Sequence, residues 1–131
     1  KTFLLTGANR GIGLALSKEF GKRGHSIIAS VRDPESCSHL LDVEGIIRVE
    51  KMDVADEKSV CALREKLQKE NISLSGIISN AGIFTKRGPD GENLQSSLFD
   101  ISPEIFNSHF QVNTMGNLFL YLTEQTIFLL Q

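Results

Sequence analysis

The tightest constraint on this chain is the stretch Thr6-Gly7-Ala8-Asn9-Arg10-Gly11-Ile12-Gly13. It follows a short apolar run, Phe3-Leu4-Leu5, and opens a pattern with Ile12, Leu16 and Phe20 at four-residue spacing. Strand, glycine-rich turn and helix, in that order, form the context of a phosphate-binding loop. Gly7 lets the chain turn sharply, Gly11 lets backbone approach a pyrophosphate, and Gly13 removes a side chain where helix meets strand. Free backbone N–H groups at the helix start point toward an anion, which the helix dipole favours. Asn9, Arg10 and Ile12, inside the loop, join the glycines as candidate cofactor contacts. The spacing is Gly-x-x-x-Gly-x-Gly, and by itself it also describes an ordinary tight turn.

The chain beyond the loop supports the phosphate-binding reading. Residues 2–5 are expected as a first strand, and the first helix runs from the glycine loop to Lys22 or Arg23, with Gly24 as its terminator. Ser26-Ile27-Ile28-Ala29-Ser30-Val31 reads as a buried second strand, ended by Arg32-Asp33-Pro34. A short polar helix over 35–41 and a third strand over 46–52 follow. Asp56 is placed to cap a helix over 57–70 whose apolar stripe is Val60, Leu63 and Leu67. Leu74-Ser75-Gly76-Ile77-Ile78-Ser79 forms the fourth strand and closes on Asn80-Ala81-Gly82. Residues 83–101 are polar and glycine-containing, a long surface loop. Ser102-Pro103-Glu104 then starts a last helix, with Ile101 and Phe106 placed for a hydrophobic staple. That helical pattern is expected to run to the end of the chain, about 40 Å at 1.5 Å per residue. Strands alternating with helices give the α/β class: a Rossmann-like, doubly wound parallel sheet built from strands one to four plus the long following helix.

Charge and cysteine usage narrow the partners. Fourteen Lys and Arg against sixteen Asp and Glu leave a net charge of −2, too weak a field to draw nucleic acid or an anionic membrane surface. No apolar run reaches the length of a membrane span, and no signal-peptide pattern precedes the first strand. Cys37 and Cys61 have neither metal-site nor disulfide-framework spacing, and two free thiols suit a cytoplasmic protein. His25, His39 and His109 show no metal-binding spacing, so no metal is expected. The start at Lys1 and the stop at Gln131, inside an apolar helical pattern, carry the expectation of cut ends or a natural fragment.

Four marks fall at the carboxyl ends of the four strands: the glycine loop, Val31-Arg32, Asp53-Val54 and Asn80-Ala81-Gly82. Ligands of a doubly wound sheet bind outside those ends, so all four face one crevice. Singly, Asp53 could cap the following turn and Asn80 could satisfy backbone at a strand end. Their coincidence favours a nucleotide site.

Together these residues closely resemble the short-chain dehydrogenase/reductase family, along the whole chain, with wording similar to its carbonyl-reductase-like and signalling-factor-like members. Thr6-Gly7-x-x-x-Gly11-Ile12-Gly13 matches its cofactor loop, and Asn80-Ala81-Gly82 matches the motif after its fourth strand. The resemblance makes Asp53-Val54 the adenine-contacting pair. It makes Asn113, in Val112-Asn113-Thr114-Met115-Gly116, the catalytic asparagine that kinks the long helix and holds a relay water. It implies hydride transfer between a nicotinamide and the carbon of a small carbonyl or alcohol substrate. The family's catalytic serine and Tyr-x-x-x-Lys lie beyond this segment. Tyr121, the sole tyrosine, has Gln125 four residues later, so the chain is incomplete relative to the family and is expected to be inactive as it stands. The alternative is a non-catalytic nucleotide-binding or protein-interaction module of the same descent. A methyltransferase-type Rossmann domain is disfavoured by the Asn80 and Asn113 motifs together.

Cofactor choice rests on charge. An NAD enzyme places a carboxylate after the second strand, for the ribose hydroxyls. Here Val31 stands in that register with Arg32 beside it, and a guanidinium can grip a 2′-phosphate with two parallel N–H groups. Arg10 adds a second cation, so NADP(H) is expected over NAD(H). Asp33 argues the other way, because a two-residue shift of register makes it the ribose ligand. The apolar circumference of the last helix, and a fourth strand left at an edge, carry the further expectation of a homo-oligomer formed through the terminal helix.

Overall fold

The computed structural model describes residues 1–83 and 101–128, with side chains as far as residue 122. The loop expected over 83–101 and the apolar positions Ile127 to Leu130 therefore lie almost wholly outside the described side chains. The elements are β1 (Thr2–Thr6), α1 (Gly11–Lys22), β2 (Ser26–Val31), a 3-10 segment (Glu35–Asp42), β3 (Ile46–Lys51), α2 (Glu57–Lys69), β4 (Gly76–Ile78), α3 (Pro103–Phe110), a π-helical segment (Gln111–Met115) and α4 (Gly116–Phe128). The four strands form one parallel sheet in the order β3-β2-β1-β4. This is the expected doubly wound, Rossmann-like arrangement.

Alternation along β1 and β2 feeds two cores. Leu4 and Ile28 point to the face covered by α2 and α4, where Val60, Leu63, Leu67 and Leu120 meet them. Leu5, Ile27 and Ala29 point to the other face, under α1 and the 3-10 segment, with Leu40 and Cys37. Leu5, Ile27 and Ile28 are fully buried, each contributing about 1.5–3 kcal/mol of apolar transfer free energy. Strands covered on both faces need apolar side chains in both directions, which is why β2 reads as a continuous run.

The helix α1 departs from the apolar-stripe expectation. Its buried residues are Gly13, Ser17 and Gly21, and Ile12 is 75% exposed. Ser17 donates its hydroxyl to Gly13 O at 3.0 Å, so the small polar side chain is satisfied within the helix. Close approach at Gly21 depends on an absent side chain. A Cβ at Gly21 would stand 2.0 Å from Glu44 O, and one at Gly45 would stand 2.4 Å from the Gly21 Cα. Leu16 and Phe20 flank this seam half-buried, and the Phe20 ring meets Phe3 edge-on.

The helix caps follow the sequence. Asp56 accepts the Lys58 N–H at 3.0 Å, Ser102 accepts the Ile105 N–H at 3.3 Å, and Gly24 takes φ +73° after α1. A hydrogen bond from the Ser102 hydroxyl also holds the Glu104 carboxyl below its ordinary value. One expectation changes in its bounds. The strand β4 is shorter than residues 74–79, because Asn80 leaves the ladder to bond the β1 end instead. The last helix runs without interruption from Pro103 to Phe128, and the π segment between Gln111 and Met115 widens it at Asn113, where the family resemblance implied a kink. Within one chain much of its apolar surface stays open: Gly116 and Leu120 are its buried residues among those described, while Phe106, Phe110, Leu118 and Leu122 are 44–61% exposed.

On β3, an edge strand of the sheet, Arg48 pairs with Glu50 and Glu70, and Lys66 reaches Glu50 at 2.8 Å. Glu50 is 6% exposed and tolerates burial because two cations face it. The hydrogen bond from Arg48 holds the Glu70 carboxyl below its ordinary value and, reciprocally, raises the guanidinium. No described helix is long and apolar enough to cross a membrane. No cluster of metal-ligating side chains occurs among the described residues.

Candidate functional site

The cleft at the carboxyl ends of the strands has a volume of about 750 Å³. Every cofactor candidate read from the sequence lines it: Gly7, Asn9, Arg10, Gly11, Ile12 and Gly13 from the loop, Arg32 after β2, Asp53 and Val54 after β3, and Asn80, Ala81 and Gly82 after β4. Residues far apart in sequence converge because parallel strands all end on one side.

Close packing of backbone builds the floor. Gly7 and Gly11 take φ +65° and +54°, the left-handed region that glycine enters without penalty. At Gly13 the reason for glycine is proximity, since a Cβ would fall 2.2 Å from Gly7 O and 2.6 Å from Asn80 Nδ2. The Asn80 amide donates to Thr6 O at 3.0 Å and to Gly7 O at 3.2 Å, lashing the end of β4 to the turn. The Thr6 hydroxyl accepts the Asn80 N–H at 3.0 Å and the Ala81 N–H at 2.8 Å. Thr6 is fully buried, so its oxygen replaces water for two strand-end donors. Motif spacing does not single out Thr6 as a site residue. Its signal is a hydroxyl at the last strand position before the first glycine.

The turn-capping role of Asp53 holds together with its place in the cleft. Asp53 Oδ1 accepts the Ala55 N–H at 2.9 Å, a local Asx turn, while the Asp53 N–H is received by Ser59 Oγ at 2.9 Å. Its carboxylate is thereby oriented at the cleft wall. The structure also brings Ser30, Asp33, Ser36, Cys37, Met52 and Val112 to the lining. Ser36 and Cys37 escape a reading of the sequence because the 3-10 segment that delivers them has no periodic signal over so few residues.

Asn113 lies behind the cleft, in the π segment. Its Oδ1 accepts the Ile83 N–H at 2.9 Å and its Nδ2 donates to Ile83 O at 3.0 Å. The amide thus mimics a strand neighbour for the backbone just past Gly82. The widened turn makes this reach feasible: the Gly116 N–H bonds back five residues to Gln111 O, adding a residue to the turn. Gly116 then presses on the loop after β3, where a Cβ would sit 3.0 Å from Val54 O.

Comparison with known proteins agrees with this geometry. Residues 1–126 match the short chain dehydrogenase family model. Retinol dehydrogenase 13 of Mus musculus is 35% identical over 90 residues, covering 64% of this chain and 27% of the relative. Carbonyl reductase [NADPH] 3 of Homo sapiens is 35% identical over 88 residues, covering 63% of this chain and 32% of the relative. Among solved structures, 3-ketoacyl-(acyl-carrier-protein) reductase from Brucella melitensis, complexed with NADH, superposes with a TM-score of 0.82 at 24% identity. It covers 98% of this chain and 50% of that one. ElxO with NADP bound gives 0.81 at 25% identity, covering 96% of this chain and 49% of that one. The chain thus spans between about a quarter and a half of the curated relatives it matches. With the parallel sheet, the glycine turn and the converging strand ends in place, the chain belongs to the short chain dehydrogenase family.

Proposed function

We propose that this chain supplies the cofactor-holding part of an NADP(H)-dependent oxidoreductase that moves hydride between a nicotinamide and the carbon of a small carbonyl or alcohol. The observation that carries the reading is the single cleft in which the backbone of the glycine loop faces Arg10, Arg32, Asp53 and Asn80. In this reading the loop holds the pyrophosphate, Arg32 and Asp53 flank the adenosine, and the nicotinamide lies toward Ala81, Gly82 and Ile83. The bound cofactor would supply the hydride, and these residues would bind and orient it. Asn113 acts on the reacting end through the backbone of Ile83, with its part in proton transfer carried over from the family resemblance.

NADP(H) is favoured over NAD(H) because Arg10 and Arg32 both line the cleft, where two guanidinium groups would attract a 2′-phosphate. Asp33 also lines it, which keeps NAD(H) as the rival. Titration of the protein with NADPH and NADH, followed by nicotinamide fluorescence, separates them. NADPH should bind at least tenfold tighter, and Arg32→Ala should remove most of that preference, about 1.4 kcal/mol per factor of ten. Equal affinities, or an unchanged ratio in Arg32→Ala, would overturn the choice.

A second reading has a specific observation behind it. Tyr121 is 56% exposed on α4 and has Gln125, not lysine, four residues on, so it does not match the family's acid/base pair. The segment would then bind nucleotide without turning it over, as an interaction module does. Binding without turnover of small aldehydes and ketones supports this for the segment. The exposed apolar face of α3 and α4 fits self-association in either reading, with a cytoplasmic setting and no role for nucleic acid or membrane.

A further inference from the structure

Asn117, on the first turn of α4, makes contacts that neither the loop nor the cleft lining accounts for. Its Nδ2 donates to the Asn113 carbonyl oxygen at 2.6 Å, and its Oδ1 accepts a hydrogen bond from the Ser79 hydroxyl. Ser79 is the residue after β4, immediately before Asn80. One amide therefore joins the widened helical turn to the strand end, using its donor on one side and its acceptor on the other. Asn113, whose carbonyl it holds, spends both ends of its own amide on Ile83. The chain of contacts runs from Ser79 through Asn117 and Asn113 to Ile83, and it encloses Asn80, Ala81 and Gly82.

A π turn carries one residue more than an α turn and is rare in helices, so it persists where contacts from its surroundings favour it. Left alone, the turn can relax toward α geometry, which would rotate Asn113 away from Ile83. An exposed aliphatic residue at position 117 would satisfy helix propensity as well as asparagine or better. The asparagine is explained by the two polar contacts.

We propose that Asn117 is a positioning residue for the nicotinamide end of the cleft: it fastens the π turn to the end of β4 and so sets where the Asn113–Ile83 pair stands. The assignment of that end rests on the dinucleotide reading above. The hydrogen bonds of Asn117 end on Ser79 and Asn113, neither of which lines the cleft, so its effect passes through Asn113 and Ile83.

The test uses the intact protein with Asn117→Val, which removes both contacts, and Asn117→Asp, which keeps an acceptor for Ser79 and loses the donor to Asn113. Two measurements are made on each. The first is hydrogen exchange of the Ile83 amide without ligand, which does not depend on any cofactor. Both variants should lose about fivefold or more of Ile83 protection, the equivalent of one hydrogen bond, while amides of β1 and β2 stay unchanged. The second compares NADPH with 2′,5′-ADP, which lacks the nicotinamide half. NADPH affinity should fall about fivefold and 2′,5′-ADP affinity should stay within about twofold. Unchanged Ile83 protection overturns the proposal, and so does an equal loss for both ligands, the signature of a general packing role. If neither ligand binds the parent protein, the dinucleotide reading fails, and the exchange result alone decides whether Asn117 positions the turn.

Discussion

The helix α1 and the run from α3 to α4 both follow strands of one sheet, both use a glycine for close approach, and they differ in how much of their apolar surface they cover. On α1, Gly13, Ser17 and Gly21 are buried, Leu14, Leu16 and Phe20 pack beside them on the core, and Ile12 of the first turn stays outside. The α3–α4 run is rich in phenylalanine and leucine, yet among described residues Gly116 and Leu120 alone are buried there. Apolar content is therefore a poor guide to which helix lies close to the sheet. Backbone can approach closely only where the facing residue carries no side chain, as at Gly13, Gly21 and Gly116.

The comparison breaks most sharply at Gly13. Gly13→Val should destabilise the protein by about 3 kcal/mol or more, since its Cβ meets the Gly7 carbonyl and the Asn80 amide together. Denaturant unfolding would show it, with loss of nucleotide binding alongside. A mild effect would mean that α1 can lift off the sheet. On the opposite helix, Leu120→Ala should cost about 2–4 kcal/mol by the same assay, because Leu120 is 3% exposed in the core under α4.

Thr6→Val comes next, at about 2 kcal/mol, because two strand-end N–H groups lose their shared acceptor. Thr6→Ser should restore most of the stability, and equal behaviour of Val and Ser would show that the hydroxyl is idle. Phe106→Ser, on the exposed side of α3, should change monomer stability by less than about 0.5 kcal/mol. If that face mates with a second copy, light scattering should instead report a smaller species. Loss of monomer stability would show that this face of α3 is packed within the monomer.

The smallest effect is electrostatic and lies away from both helices' contacts. Glu70 has its folded pKa lowered by Arg48 from an ordinary value of 4.5. Its contribution is thus fully present above that value and fades as pH falls through the lower folded one. In Glu70→Gln the acid limb of the stability–pH curve should be shallower, with neutral-pH stability nearly unchanged because the pair is solvent-screened. An identical acid limb would assign that slope to other carboxylates.

How much of the molecule is legible in the chain depends on how local the cause is. The glycine loop, the Asp56 and Ser102 caps, the Val60-Leu63-Leu67 stripe and the β2 run follow from backbone and periodicity rules acting within a few residues, and each stands where the sequence put it. Convergence of Arg32, Asp53 and Asn80 on the loop follows from parallel strands alone. The seam between Gly21 and Gly45, the burial of Thr6 and the 3-10 delivery of Cys37 are not legible, because each depends on a neighbour twenty or more residues away or on a segment too short for periodicity.

The sequence by itself determined a parallel α/β sheet, a phosphate-type turn and the set of residues that crowd one crevice. These are consequences of φ/ψ preference, hydrophobic alternation and strand direction. Tertiary structure alone decided that Gly21 of α1 meets Gly45 backbone to backbone, that the irregularity at Asn113 takes the form of a π turn, and that an amide at Asn117 holds that turn to the end of β4. The physical reason is that close approach and hydrogen-bond closure depend on the distance between two chain segments, and no single segment encodes that distance.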